Sequence, residues 1–455
     1  MSAVQRDLRL LSTQLTGRVI LPEEADYETA RRVWNGMIDK HPGAIARCVS
    51  ASDVAAAIQF AASRDMLVSV RGGGHNIAGN AVCDDGLVID LSSMKDIHVD
   101  RERQVARVGG GVVWGELDAA TQQYGLATTG GLIPSTGVAG FTLGGGLGYL
   151  MRRFGLACDN LTSVEMVTAA GERLVASPSS HEDLFWAVRG GGGNFGVVTS
   201  FAFRLHEVGP VLLAGSVAFP VSQAGEVLRF YREWATDMPD GLIAYAGLST
   251  GPDGVRRVGV RAVYTGAPED GERLVAPLQR FGAPDVDDIR PRSYLEVQRL
   301  VEPMFPSGRL NYWKANFLDE LSDELIERVV DAFTSVASPY SAIAFEQMGG
   351  AVARVGPDET AFSHRHAAFS LLLLGGWDDP QATNANIAWV RELWARTRTL
   401  SAAGVYVNYL GAEGSERVHD AYGPNYVRLV GVKQRYDPQN FFHFNQNIPP
   451  GSLAG

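Results

Sequence analysis

The chain has little cysteine, no long apolar segment and no excess of basic residues. Its cysteines, Cys48, Cys83 and Cys158, are scattered and form no Cys-x-x-Cys pair, so we expect neither a disulfide framework nor a metal site. No apolar run reaches the length of a membrane span or a signal-peptide core, which predicts a cytoplasmic protein without membrane contact. A net charge of -11 without any Lys/Arg-rich run argues against nucleic acid as a partner.

Glycine, in contrast, is abundant, with 52 residues among 455. A chain of this length is too long for one hydrophobic core, and we expect two or three domains. The glycines are concentrated in the first half and lie in turns rather than in repeats, which excludes a collagen-like or low-complexity chain. Because glycine weakens the interior of a strand or helix, its clusters indicate places where bare backbone approaches something closely.

The order of the predicted elements indicates an α+β fold with two lobes. In residues 1–210, short strands alternate with helices. We predict an amphipathic helix at 25–38, an N-cap at Ser52 and a capping box at 180–183. In residues 211–404, longer strands alternate with helices at 223–237, 323–336 and 383–398, which predicts an antiparallel sheet covered by helices. Residues 405–455 revert to short elements and are expected to return to the first lobe.

The first glycine cluster follows a short apolar segment, 66–70. Consecutive glycines let backbone N–H groups approach a bulky anion such as a pyrophosphate. A histidine at the end of such a turn is held rigidly beside the ligand. The candidate cofactor-binding residues here are Arg71, Gly72, Gly73, Gly74, His75, Asn76 and Gly79.

Two further clusters lie at 135–148 and 189–196. Gly191, Gly193 and Gly196 match the G-x-G-x-x-G spacing, but the segment before them is helical and the segment after them is a strand. The dinucleotide fingerprint requires the reverse order, so we reject a Rossmann nicotinamide site. Three glycine-rich loops between strands suggest backbone contact along a dinucleotide with a flat ring system. The candidates in these loops are Ser135, Thr136, Gly137, Gly140, Gly145, Gly146, Gly148, Gly196 and Val198.

The loops at 71–76, 136–148 and 183–196, together with the segments 149–156, 406–409 and 440–448, carry a family resemblance. They resemble the berberine-bridge-enzyme-like branch of the vanillyl-alcohol-oxidase superfamily, which has a PCMH-type FAD-binding domain. The resemblance implies a discontinuous FAD-binding domain made of residues 1–210 (its PCMH-type part at about 40–208) and 405–455. It also implies a substrate-binding domain inserted at 211–404, where the match is only in kind.

The resemblance further implies that His75 is bonded covalently to the 8α-methyl carbon of the flavin. Many relatives have a second bond from a cysteine in the second loop, where this chain has Ile133. We therefore expect a single link, through His75. Thr136 falls where relatives place a residue that controls the approach of oxygen. Because threonine is close in size to the valine of the oxidases, it favours oxidase behaviour.

The resemblance also gives candidates for the proton-accepting base. Tyr406 resembles the family's tyrosine base, although a phenol with a pKa near 10 needs a neighbour that lowers it. Asn408, or a cation such as Lys314, are the candidates for that help. Glu346 is the second candidate base, since some relatives use a glutamate. Two asparagines are expected to hydrogen-bond the flavin or the network of the tyrosine: Asn445 and Asn447.

The favoured interpretation is an FAD-dependent oxidase that removes a hydride from a C–H next to a hydroxyl or amine. Its substrate would be a sugar, a secondary-metabolite alcohol or an alkaloid, with O2 as electron acceptor and H2O2 as product. One alternative is a flavin dehydrogenase that uses an acceptor other than oxygen. A second alternative, from a different class, is a catalytically silent FAD-binding protein.

Overall fold

The computed structural model describes residues 3–402 and 404–451. The first part of the chain forms a lobe of short strands and helices. Its strands are β1 (Arg18–Ile20), β2 (Ala44–Arg47), β3 (Val68–Arg71), β4 (Leu87–Asp90), β5 (Ile97–Asp100), β6 (Val105–Gly109), β7 (Leu126–Ala127), β8 (Leu161–Val167), β9 (Arg173–Ala176), β10 (Val197–Arg204) and β11 (His206–Glu207). Its helices are α1 (Ala3–Gln14), α2 (Tyr27–Arg31), α3 (Ala51–Ala62), α4 (Trp114–Gln122), α5 (Val138–Leu143), α6 (Met151–Phe154) and α7 (Glu182–Ala187).

These strands form two main sheets. One sheet has the order β1-β2-β4-β3, with parallel pairing of β2 and β3 to the central β4. The other sheet is antiparallel, with the order β5-β6-β10-β8-β9. The two short strands β7 and β11 pair separately. The first glycine-rich loop follows β3, the second surrounds α5, and the third precedes β10. The first lobe therefore positions all three loops.

The second lobe is an antiparallel sheet with the order β15-β12-β14-β13-β18-β19-β17, and β16 also pairs with β12. Its strands are β12 (Val211–Pro220), β13 (Leu242–Thr250), β14 (Arg256–Tyr264), β15 (Val286–Asp287), β16 (Arg290–Ser293), β17 (Leu310–Leu318), β18 (Ala342–Gln347) and β19 (Phe369–Trp377). Its helices are α8 (Ala224–Thr236), α9 (Pro268–Gln279), α10 (Tyr294–Val297), α11 (Asp323–Phe333), α12 (Ala351–Arg354) and α13 (Thr383–Thr397).

The two faces of this sheet have different neighbours, as the period of two along a strand requires. On β13, Leu242 and Ala244 belong to the core that the helices cover, whereas Ile243 and Tyr245 belong to a core shared with the first lobe. The predicted α+β fold, with an antiparallel sheet covered by helices on one face, is therefore confirmed. Among the described helices, none has the length and apolar character that crossing a membrane requires.

The last part of the chain packs back onto the first lobe through α14 (Ser415–Tyr422) and α15 (Tyr426–Tyr436). The fully buried Lys433 on α15 fixes this return. Its ammonium donates to the carboxylate of Asp437 at 2.6 Å, to Asn194 O at 2.8 Å and to Phe442 O at 2.9 Å. One side chain thus joins the third glycine loop to the C-terminal segment.

Three local predictions are wrong. The helix predicted at 25–38 is limited to α2, and Arg32 is extended because the next residues turn toward the first glycine loop, where the Trp34 N–H donates to Gly74 O. The cap of α3 is Ser50 rather than Ser52, and its hydroxyl accepts from the Asp53 N–H. No capping box forms at 180–183, since the residue before α7 is His181 in a left-handed conformation.

Candidate functional site

A cavity of about 610 Å³ lies between the two lobes. Its wall on one side consists of the three glycine-rich loops and the C-terminal segment. Its wall on the other side is the face of the second-lobe sheet that points away from the helices. This volume lies within the range of cofactor and ligand sites, and the lining brings together residues of the first lobe, the second lobe and the C-terminal segment.

His75 lies in the wall of this cavity, held from two sides. Its Nε2 is 2.9 Å from Ser135 Oγ, and its Nδ1 is 3.5 Å from Thr136 Oγ1, so both contacts come from the second glycine loop. The ring of Trp34 stacks on the imidazole at 5.3 Å between centroids. Burial lowers the pKa of His75 to about 4. The imidazole is therefore neutral near pH 7 and has a lone pair on one of its ring nitrogens.

The first two glycine loops cross in backbone contact. A Cβ added to Gly73 would lie 2.3 Å from Gly137 N, and a Cβ added to Gly137 would lie 2.3 Å from Gly73 N. Neither position has room for a side chain, since the obstacle is backbone that a rotamer change does not move. These two glycines are needed to bring the loops together beneath His75.

Other features of the same wall fit a large anionic ligand such as FAD. Within the described chain, the six consecutive N–H groups from Gly72 to Ile77 donate no hydrogen bond to protein, and such a row of free donors in a turn favours an anion. At Gly140 and Gly193, which line the cavity, an added Cβ would meet nothing within 4 Å. The backbone there leaves open space, as a cradle for a ligand requires.

The predicted cofactor-binding residues divide into two groups. The residues that line the cavity are Gly72, Gly73, Gly74, His75, Asn76, Thr136, Gly137, Gly140, Gly196, Val198 and Asn445. The others lie behind this wall and support it: Arg71, Gly79, Ser135, Gly145, Gly146, Gly148 and Asn447.

The supporting residues have structural contacts of their own. The Arg71 guanidinium donates to the carboxylate of Asp90 at 2.8 Å, and both side chains are buried. A Cβ at Gly148 would lie 1.9 Å from Gly130 O. The Oδ1 atoms of Asn445 and Asn447 are buried without a hydrogen-bond partner in the described chain, which leaves acceptors available at this end of the cavity.

The oxygen of Tyr406 is surrounded by donors. The N–H groups of Gly146 and Leu147 donate to it at 2.9 and 3.3 Å, and Asn408 Nδ2 donates at 2.7 Å. Burial raises the pKa of Tyr406, and these three donors oppose that shift. Of the two predicted helpers, Asn408 therefore lies on the tyrosine oxygen, whereas Lys314 pairs with Glu413.

Glu346, the other candidate base, forms a hydrogen-bonded pair with Tyr409. It is 4% exposed, and its Oε1 accepts the hydroxyl of Tyr409 at 2.8 Å. Its Oε2 has no hydrogen-bond partner among the described residues, and the side chain lines the cavity. Burial raises the pKa of Glu346 to about 7, against the lowering effect of the Tyr409 hydrogen bond. This carboxyl is therefore tuned to exchange a proton near neutral pH.

The sequence reasoning did not identify several contributors. Trp34 lay in a predicted helix, where a lone tryptophan gives no sign that it stacks on a histidine. Tyr409 lies in the segment 406–409, but nothing in the sequence pairs it with Glu346. Asn194 donates to Gly191 O and Gln446 O and accepts from the Ile448 N–H, and only a pairing of the third loop with the C-terminus could have indicated it.

Comparison with known proteins gives two family matches. Residues 42–177 match the FAD binding domain family, and residues 405–449 match the family described as berberine and berberine like. An uncharacterized FAD-linked oxidoreductase of Bacillus subtilis (strain 168) is 32% identical, over 96% of this chain and 98% of its own length. The (R)-6-hydroxynicotine oxidase of Paenarthrobacter nicotinovorans is 34% identical, over 97% and 98%.

A solved structure shows the same fold. The crystal structure of 6-hydroxy-D-nicotine oxidase from Arthrobacter nicotinovorans superposes with a TM-score of 0.89 at 32% identity. The superposition covers 96% of this chain and 98% of that one. The likeness therefore extends over both lobes and the cavity between them.

Proposed function

This chain belongs to the berberine-bridge-enzyme-like FAD-linked oxidoreductases, and we propose that it is an oxidase of a small molecule with a C–H next to a hydroxyl or amine. The observation that carries the proposal is that His75 and the buried carboxyl of Glu346 line the same cavity. When bound, FAD would accept the hydride and pass the electrons to O2, which yields H2O2. The similarity to a 6-hydroxynicotine oxidase supports an amine or alcohol as the group oxidised.

The cofactor would be held by this chain's backbone and by one side chain. The free N–H groups from Gly72 to Ile77 are placed to bind an anionic group, and Gly140 and Gly193 leave room beside it. His75 is the proposed covalent anchor. Its neutral imidazole supplies the lone pair that bond formation requires, and Trp34 and Ser135 fix its orientation.

Glu346 is the proposed base that takes the proton from the substrate O–H or N–H. With a pKa of about 7, a large fraction of this carboxyl is ionised at neutral pH, yet it still binds a proton well. Tyr409 holds Oε1, whereas Oε2 is buried without a hydrogen-bond partner among the described residues. A buried carboxylate with one oxygen fixed and one free is oriented before substrate arrives.

Tyr406 remains the second candidate base. Its three donors would stabilise a phenolate. They also occupy the oxygen, so a substrate hydroxyl would have to become a fourth donor. This crowding favours a role for Tyr406 in positioning the backbone of Gly146 and Leu147.

The same proposal includes O2 as the electron acceptor and a cytoplasmic location. It also includes domain limits after residues 210 and 404. Thr136 lies beside His75 in the cavity wall, where a side chain of that size leaves space for oxygen. The division of the chain after residues 210 and 404 is supported by the sheets, since β12 to β19 all join the second-lobe sheet.

The test is to mix holoprotein anaerobically with a panel of alcohols and secondary amines and to follow flavin absorbance. We expect bleaching by at least one compound, followed by rapid return of colour and release of H2O2 when air is admitted. Bleaching without peroxide, and return of colour only with an added quinone or dye, would replace the oxidase by a dehydrogenase. No bleaching by any compound would favour a silent FAD-binding protein.

A further inference from the structure

A row of polar side chains crosses the cavity-facing side of the second-lobe sheet. The strand register places Ser216 opposite Arg261, Arg261 opposite Tyr245, Tyr245 opposite Glu346 and Glu346 opposite Ser370. Residues directly opposite each other on neighbouring strands point to the same face. The row therefore continues sideways from the proposed base, over five strands, along one wall of the cavity.

Single polar atoms of this row have no hydrogen-bond partner in the described chain. They are buried, and they are the Tyr245 hydroxyl, the Arg261 Nε and the Glu346 Oε2. Tyr245 is only 7% exposed. Buried polar groups in native proteins are normally satisfied, and a run of exceptions along one cavity wall indicates a ligand that satisfies them.

Arg261 gives this ligand its charge. Arg257, four residues earlier on the same strand and face, is neutralised by Asp253 at 2.8 Å and Asp285 at 3.2 Å. Arg261 has no carboxylate partner in the described chain. Burial raises the pKa of the Tyr149 hydroxyl, and the positive charge of Arg261 opposes that shift.

We propose that the substrate carries a carboxylate, which Arg261 binds with Tyr245 as a further donor, while Glu346 receives the proton at the other end. This inference rests on the proposed oxidase function and names its substrate class. One guanidinium balances one negative charge, and no second unpaired cation lines the described cavity wall, so a monocarboxylate fits better than a phosphate dianion. Arg261 and Glu346 lie two strands apart, or roughly 10 Å between backbones, which sets the length of the substrate.

The experiment compares a carboxylate with its neutral amide. The probes are para-(hydroxymethyl)benzoate and para-(hydroxymethyl)cinnamate, each against the corresponding primary amide, titrated into holoprotein by isothermal titration calorimetry. We expect the better carboxylate to bind roughly tenfold to a hundredfold more tightly than its amide. Arg261→Gln should remove that preference. Arg256→Gln should retain it, because Arg256 lies on the same strand, points to the opposite face and donates to Thr334 O.

Each outcome decides the proposal. Equal binding of acid and amide to the wild type, no binding of the acids at millimolar concentration, or a preference that survives in Arg261→Gln would overturn it. Loss of flavin from Arg261→Gln would also overturn it, because the arginine would then serve the cofactor. If Arg261→Gln does not fold, Arg261→Lys and the wild-type comparison at low and high salt take its place. The calorimetric preference needs no turnover, so it is separable from a failure of the oxidase proposal.

Discussion

The two walls of the cavity differ in what forms their surface, which is backbone on one side and side chains on the other. On the first-lobe side, backbone forms the surface, since Gly73 and Gly137 are in close contact and the N–H groups from Gly72 to Ile77 donate no hydrogen bond within the described chain. On the second-lobe side, side chains form the surface, and Glu346 and Arg261 stand on paired strands of a rigid sheet. A backbone wall binds a ligand with little dependence on side chains, whereas a side-chain wall can change with the substrate while the fold remains.

The largest effect is expected from removing the proposed base in the side-chain wall of the cavity. Glu346→Gln keeps the shape and an acceptor for Tyr409 but cannot take a proton. We expect kcat/KM to fall about a hundredfold to ten-thousandfold, the usual contribution of a general base, with flavin content unchanged. Steady-state peroxide release with the best substrate of the panel measures this.

The matched variant for that measurement is Tyr406→Phe, which removes the oxygen that the three donors surround. A smaller loss than in Glu346→Gln is expected, because Tyr406 then only positions the loop at 146–147. If Glu346→Gln kept wild-type kcat/KM and Tyr406→Phe lost it, the tyrosine would be the base.

A second change tests the support of the backbone wall. Lys433→Met leaves the fully buried Asp437 without its partner and removes the bonds to Asn194 O and Phe442 O. Breaking a buried pair in this way costs about 3–5 kcal/mol. We expect a large fall in the free energy of unfolding in urea. Lys95→Met, which breaks the exposed pair with Glu116, should change it by less than about 1 kcal/mol; equal effects would contradict the assignment.

A third pair of changes tests two roles of the glycines in the backbone wall. Gly73 allows two loops to come into contact, whereas Gly140 leaves open space beside the cavity. Gly73→Ala places a Cβ 2.3 Å from Gly137 N, and overpacking of this kind costs about 1–3 kcal/mol. Gly140→Ala, inside α5 with nothing within 4 Å of the new Cβ, should instead raise the apoprotein's stability by about 0.5–1 kcal/mol. Thermal unfolding of the apoproteins distinguishes the two effects. A destabilised Gly140→Ala would contradict the claim that open space lies beside Gly140.

A smaller effect is expected from pH. Glu346 must be ionised to accept a proton, and burial raises its pKa to about 7. The catalytic rate at low substrate should therefore rise with pH up to about 7 and fall about tenfold per unit below it. The profile of Glu346→Gln should lose this inflection. An inflection that persists in that variant would belong to another group.

The backbone wall could be predicted from the sequence better than the side-chain wall. The glycine clusters and His75 were identified because backbone geometry restricts those positions to few residue types. The row through Arg261 and Tyr245 was not, since alternating polar and apolar residues occur in any half-buried strand and only register shows that they align. The helix predicted at 25–38 failed because contacts of Trp34 and Asn35 with the first loop and with β17 override a local amphipathic pattern.

The central claim is that His75 anchors FAD in this cavity, and acid denaturation tests it most directly. The purified protein would be precipitated in acid, and the pellet examined for yellow colour and for a flavin mass on the polypeptide. We expect the flavin to remain with the wild-type chain and to be absent from the chain of His75→Ala. Free release of flavin from the wild type would contradict the covalent link, and a protein that takes up no FAD at all would contradict the whole account.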